Sequence, residues 1–204
     1  MMQYQKESVK NAILEAAKNE FIDKGYQGAS IRTIADQAGV SVSNIYNYFD
    51  SKDEILNKVL QPILRKIEWG KNYIVECDLD HSTKKVLNLE RHKEFLLKAA
   101  NFIDENRELL KVLIFKSYGS TLENYKEDII EWYVGFWHQY IEDSRGQIEI
   151  SDYVIRNIAG VWCNFLEDII QYNIGGEELE QLVEEITIFG FGGWNKLVEY
   201  KKTN

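Results

Sequence analysis

The sequence predicts an all-α protein: an N-terminal three-helix helix-turn-helix head followed by a larger helical body. Three observations point there. One proline and 13 glycines in 204 residues suit long helices and argue against an all-β fold. Apolar residues recur at intervals of three and four along most of the chain, the period of an amphipathic helix. The stretch from Ser30 to Glu54, SIRTIADQAGVSVSNIYNYFDSKDE, sets helix stops, a glycine turn and cap signals in close succession.

Val9, Ala12, Ile13, Ala16, Ala17 and Phe21 form the stripe of a first helix, which stops at Gly25-Tyr26. Ile31, Ile34, Ala35 and Ala38 repeat at helical spacing in a second, and Gly39 supplies the left-handed residue that ends it. Ser41 caps a third helix carrying Ile45, Tyr46 and Phe49 on one side. Small Ala35 lets the two helices approach, Gly39 makes the bend, and Ile45 packs the third helix onto the second. Val42, Ser43, Asn44 and Asn47 are left facing outward, where they can meet a major groove. The head is therefore expected to bind DNA.

Ser51 and Glu54 form an S-x-x-E capping box, with Asp53 also favourable in the first turn of a fourth helix. Ile55, Leu56, Val59, Leu60, Ile63, Leu64 and Ile67 carry that helix toward Tyr73. Pro62 falls inside it and removes one hydrogen bond, which leaves a simple kink or a preset hinge as alternatives. Beyond residue 75 the expected helices run from about 82 to 104, 107 to 116, 120 to 142 (opened by Ser120 and Glu123), 151 to 172 and 177 to 200. A loop is expected at 143–150. The domain boundary is placed at residue 50: a DNA-binding domain over 1–50 and a ligand-binding and dimerisation domain over 51–204.

Residues 1–52 hold six Lys/Arg and six acids, so the remaining 152 residues carry the whole net charge of −9. A neutral head on an acidic body implies phosphate contacts made by helix N-termini, hydroxyls and a few cations, with a shallow salt dependence. No apolar run approaches the ~20 residues of a membrane span, and MMQYQKESVK lacks a signal-peptide core. Cys77 and Cys163 show no metal or redox spacing, which makes a reducing cytoplasm the expected location, with no metal and no cofactor. His81, His92 and His138 are scattered, and there is no phosphate loop, nucleophile elbow or HExxH. An enzyme is not expected.

The ordered series from VKNAILEAAKNEFIDKGYQGAS through Ile-Ala, Ala-Gly-Val-Ser, Tyr-x-Tyr-Phe and Ser-Lys-x-Glu resembles the TetR (TetR/AcrR) family of bacterial transcriptional regulators, over about residues 8–60. The resemblance implies that Val42, Ser43, Asn44 and Asn47 read bases. It also implies that Tyr46, Tyr48 and Lys52 contact phosphates, with Arg32 and Thr33 as further backbone contacts. Three positions depart from the common pattern: many members have Lys or Arg where Val42 stands, Gly at Ser43, and Thr at Ala29. The first change removes a cation and alters the operator expected.

The body holds 20 of the 26 aromatic residues and every tryptophan. Tyr73, Phe102, Phe115, Trp132, Phe136, Trp137, Trp162 and Phe165 are the candidate lining of a site for a flat or lipophilic ligand. The competing reading is that aromatic stripes at helical spacing are core. Glu131, Glu167 and Asp168 are candidate partners for a cationic ligand, or simply solvated charges. The apolar faces Ile155–Ile169 and Leu179–Leu197, with Gly190 and Gly193 three apart, suggest a homodimer, as the resemblance also implies. The expected function is a ligand-responsive repressor that binds a palindromic double-stranded DNA operator as a dimer and is released by a small-molecule effector. The alternatives are a protein of the same fold controlled by a protein partner, and a small-molecule-binding protein without inducer-controlled DNA binding.

Overall fold

The computed structural model describes residues 2–78, 89–142 and 149–203, and among these there are eight α-helices and no strand. They are α1 (Met2–Gly28), α2 (Ile31–Ala38), α3 (Val42–Ile45), α4 (Lys52–Asp78), α5 (Leu89–Phe115), α6 (Tyr125–Glu142), α7 (Asp152–Gln171) and α8 (Gly176–Thr203). The all-α expectation holds.

Several boundaries differ from those expected, each for a local reason. The helices expected at 82–104 and 107–116 join as α5, with Asn106 (φ −119°, ψ 16°) the only trace of the break; residues 82–88 lie outside the described ones. Ser120 and Glu123 do act as caps, but of a tight turn. Ser120 Oγ accepts from the Leu122 amide, Glu123 accepts from the Gly119 amide, and α6 begins only at Tyr125. The expected loop at 143–150 falls mostly outside the described residues. Helix α7 ends at Gln171 because Asn173 adopts φ 56°, and Gly176 then opens α8. Helix α4 continues through Pro62.

The compact units do not follow a boundary at residue 50. One comprises Met1–Ile67 together with Glu108–Tyr125; the other comprises Glu68–Arg107 together with Lys126–Asn204. In the first unit Ile13, Ala17 and Phe21 of α1 are fully buried, as are Ile34 of α2, Ile45 of α3, and Ile55, Leu56, Leu60 and Ile63 of α4. Val112 and Leu113 near the end of α5 complete this core. Each large aliphatic side chain taken from water here stabilises the fold by about 1.5–3 kcal/mol.

In the second unit α7 buries Ile155, Ala159, Trp162, Cys163, Phe165, Ile169 and Ile170, while α8 buries Leu179, Val183, Thr187 and Trp194. The C-terminal carbonyls of α7 are taken up by a single guanidinium. Arg107 Nη1 donates to the Ile169 and Ile170 carbonyls, and Nη2 donates to Ile174 O and to Asp104 Oδ1, each at 2.7 Å. A helix end in a protein interior needs such partners for its orphan carbonyls. Burial pushes the Cys163 thiol up to about 11, so it stays protonated and unreactive at neutral pH.

Gly190 fits where a larger residue cannot. A methyl group built on it would stand 2.7 Å from Trp162 Cζ2, so α8 lies against the face of α7 at this point. By contrast, a methyl at exposed Gly135 of α6 meets nothing within 4 Å. Gly190→Ala is therefore expected to lower unfolding free energy by about 1–3 kcal/mol. Gly135→Ala should raise it by about 0.5–1 kcal/mol. Urea unfolding followed by circular dichroism at 222 nm checks both; equal effects at the two sites would contradict the close approach.

Candidate nucleic-acid interface

The geometry of the head starts at a corner in α1. Gly25 has φ 69° and ψ 177°, and its missing side chain leaves room for Lys116, whose Cβ and carbonyl oxygen would lie 3.1 and 3.2 Å from an added methyl. The break frees backbone groups, and each finds a partner. The Tyr26 amide donates to Lys116 O at 2.8 Å, and Lys116 Nζ donates to Ile22 O at 2.6 Å. Lys52 Nζ donates to Tyr26 O (2.8 Å) and Ala29 O (3.1 Å) and lies 4.5 Å from the centre of the Tyr26 ring. Burial, and next the Asp53 carboxylate, raise the Tyr26 phenol above its ordinary value, so it stays neutral.

Helix α2 is entered through two acceptors. Buried Glu20 takes the Ser30 amide at 3.0 Å, and Ser30 Oγ takes the Thr33 amide at 3.5 Å. It leaves through Gly39 (φ 68°, ψ 31°), with the Val40 amide on Ala35 O at 3.0 Å and the Gly39 amide on Asp36 O at 3.2 Å. Only a residue tolerant of the left-handed region makes this exit without strain. Ser41 Oγ then accepts the Asn44 amide at 3.2 Å, which fixes the start of α3. Helix α3 has a single turn and continues as tighter turns through Tyr48, whose amide reaches Ile45 O at 2.9 Å. Ile45 and Phe49 are buried beneath it.

Val42, Ser43 and Asn47 are exposed on this turn, as expected. The Ser43 hydroxyl shares a 2.9 Å hydrogen bond with Ser41, and Asn47 Nδ2 donates to Asn44 Oδ1 at 3.3 Å, so half-buried Asn44 orients the Asn47 amide. Tyr46 does not pack with Ile45 and Phe49 as the stripe suggested; it is 50% exposed and available on the surface. Arg32 is exposed on α2, while Thr33 and Tyr48 are half-buried. The Lys52 ammonium is held on two carbonyls and a ring, which gives it a structural task within the head.

Sequence reasoning missed three positioning groups. Glu20 occupies a buried phase of α1 in line with Ile13 and Ala17, and a carboxylate at such a position is the signal that was available. Lys116 gave no local signal. Asp53 was read only as a favourable first-turn charge. It accepts from the Thr121 amide and hydroxyl, both at 2.8 Å, and from Asn57 Nδ2 at 3.0 Å. The capping box itself is present: Ser51 Oγ takes the Glu54 amide at 3.0 Å, and Glu54 Oε2 takes the Asp50 amide at 2.7 Å.

The candidate ligand residues divide. In the second unit Trp132 and Phe136 stack at 5.9 Å, and Phe136 meets Trp137 edge-on at 5.3 Å. Trp162 meets Phe165 edge-on at 6.2 Å, Tyr73 stacks on Phe95 at 5.7 Å, and Phe102 is half-buried. Phe115 belongs to the first unit and is 44% exposed, so it is not part of that set. Most of the apolar residues assigned to a dimer face on α7 and α8 are instead buried within their own unit. The exposed apolar side chains there are Tyr153, Val154, Val161, Ile188, Phe189 and Tyr200. Among the described residues no cluster of His, Cys, Asp and Glu is suited to a metal, and no helix is long and apolar enough to cross a membrane.

Residues 13–59 match the family profile described as bacterial regulatory proteins, tetR family. The chain is similar to the HTH-type transcriptional activator FasR of Mycolicibacterium smegmatis, 32% identical over 84 residues, 41% of this chain and 38% of that one. It is also similar to the HTH-type transcriptional repressor KstR2 of Rhodococcus jostii, 31% identical over 68 residues and 33% of each chain. The HTH-type transcriptional regulator RutR of Escherichia coli is 44% identical over 55 residues, 27% of this chain and 26% of that one. These matches span well under half the length of the relatives. Two solved structures share the fold over nearly the whole chain. The regulator FadR from Bacillus subtilis in complex with stearoyl-CoA has a TM-score of 0.61 and 17% identity, covering 89% of this chain and 97% of that one. NalD, the secondary repressor of the MexAB-OprM multidrug efflux pump in Pseudomonas aeruginosa, has a TM-score of 0.62 and 18% identity, covering 92% and 97%.

Lys52→Met is expected to lower unfolding free energy by about 1–3 kcal/mol, because two carbonyls lose a charged donor. Arg32→Ala, at an exposed position, should change it by less than about 0.5 kcal/mol. Urea midpoints of the two variants decide the matter; an unaffected Lys52→Met would return the ammonium to the surface.

Proposed function

We propose that this chain, which belongs to the TetR family of bacterial transcriptional regulators, binds a two-fold symmetric DNA operator as a homodimer and releases it when a small lipophilic effector enters its second unit. The observation that carries the proposal is the turn of α3. Its apolar residues Ile45 and Phe49 are buried, while Val42, Ser43, Asn47 and Tyr46 stand outward on a backbone fixed at both ends. That is the surface a major groove requires. Asn47 can pair through its amide with adenine N6 and N7, and Val42 can touch a thymine methyl. Tyr46 and Arg32 flank them as phosphate contacts.

The dimer is supported by Val154 and Val161 of α7 and Ile188 and Phe189 of α8, the last 73% exposed. Side chains of this size left on long helices suit burial against a second copy. A lipophilic effector is supported by the aromatic second unit and by the acyl ligand of the FadR neighbour. Helix α4 would carry the response, since it begins at the Ser51 cap beside the head and ends in the second unit. Repression is the sense proposed, and the cytoplasm the place.

Selection from random duplex DNA with the purified protein should recover a palindrome. Asn47→Ala is expected to weaken binding to it by about 1–3 kcal/mol, roughly ten- to a hundredfold. Arg32→Ala should instead weaken all sequences alike and reduce the salt slope by about one. Fluorescence anisotropy at two salt concentrations reads both effects. Failure to enrich any sequence with folded dimer would overturn the proposal.

A further inference from the structure

The densest aromatic contact in the second unit joins α6 to α8. Trp137 and Trp194 have ring centroids 4.2 Å apart at 42°, and Tyr140 approaches both edge-on, at 5.5 and 6.3 Å. Trp137 is 6% exposed and Trp194 5%. Neither indole Nε1–H has a hydrogen-bond acceptor among the described residues. A buried indole normally finds a partner for its N–H, and one left without gives up the hydrogen bond it made to water with nothing in return. Two such donors side by side, and no other buried side-chain nitrogen or oxygen of the described residues in that condition, mark this place out from ordinary core.

The chemistry of the pair selects its partner. An indole N–H donates and cannot accept, so the partner must bring a lone pair. A quaternary ammonium has none. A carboxylate has, but the only buried polar side chain described in this unit is Thr187, whose hydroxyl donates to Val183 O, so no buried cation balances the charge. A neutral oxygen on an apolar frame meets both conditions. We propose that Trp137 and Trp194 form a twin-donor site for the carbonyl oxygen of a lipophilic ester, ketone, amide or thioester. This rests on the effector-binding reading above and adds to it the polar group by which the effector is recognised.

The test uses full-length protein with 15N-labelled indoles. Its five tryptophans give five side-chain N–H signals, assigned by their loss in Trp137→Phe and Trp194→Phe. 2-Undecanone, undecane and decyltrimethylammonium are titrated separately. The ketone should move the Trp137 and Trp194 protons downfield and leave the other three nearly still, whereas undecane and the ammonium should not. Each Phe variant should bind the ketone roughly three- to tenfold more weakly, the worth of one neutral hydrogen bond. If a variant fails to fold, the comparison of ketone with undecane on the wild-type protein remains decisive, because two of five signals must respond. Both signals unmoved at millimolar ketone, or moved alike by all three probes, overturns the site. If both move while operator affinity is unchanged, the site stands and effector-controlled release fails. If another ligand releases the operator and leaves both signals still, release stands and the twin-donor site fails.

Discussion

The head is organised around the corner of α1. Breaking a helix at Gly25 frees amides and carbonyls in a place largely closed to water, and buried backbone groups without partners cost as much as lost hydrogen bonds. Two lysines and one carboxylate resolve this. Lys116 serves Ile22 and receives Tyr26, Lys52 serves Tyr26 and Ala29, and Glu20 takes the amide of Ser30. Remove the corner, and α2 no longer enters at the angle that buries Ile34 and Ala35. The outward residues of α3 inherit their position from hydrogen bonds made well behind them.

The same groups explain why a head with balanced charge is not short of structure-making cations. Lys52 and Lys116 are used inward, on carbonyl dipoles, leaving exposed Arg32 on the α2 surface. Affinity for a duplex would then depend more on amide and hydroxyl contacts and on docking two heads together than on counterion release. In the second unit the balance differs. Arg107 closes the end of α7, and otherwise the interior is carried by aromatic and aliphatic contacts, with Gly190 admitting the Trp162 ring.

Much of the head was legible because its signals are local. Ser30, Gly39, Ser41, Ser51 and Glu54 act on neighbours within five residues, and each cap or turn appears where its chemistry placed it. What could not be read depends on partners distant in sequence. Nothing near Lys116 announces that it meets Ile22, and nothing near Asp53 announces Thr121. The inward contacts of Lys52 were hidden for the same reason: a lysine at a helix start looks like a surface charge until the carbonyls of Tyr26 and Ala29 are seen beneath it. Aromatic residues posed another difficulty. Helical spacing alone could not separate exposed Phe115 from buried Trp137, nor reveal that Trp194 faces Trp137 within one chain.

The interleaving of Glu108–Tyr125 with Met1–Ile67 bears on how the protein is made. A head contiguous in sequence could close as soon as its last helix left the ribosome. Here Val112 and Leu113 of its core, and the Lys116 and Thr121 partners of Tyr26 and Asp53, come after an intervening stretch that belongs to the other unit. At about 5–20 residues per second of synthesis, the nascent α1–α4 segment waits on the order of several seconds with that apolar surface uncovered. Maturation of the head is thereby tied to synthesis through Tyr125, and a chain that stalls before it presents a surface for chaperones in place of one for DNA.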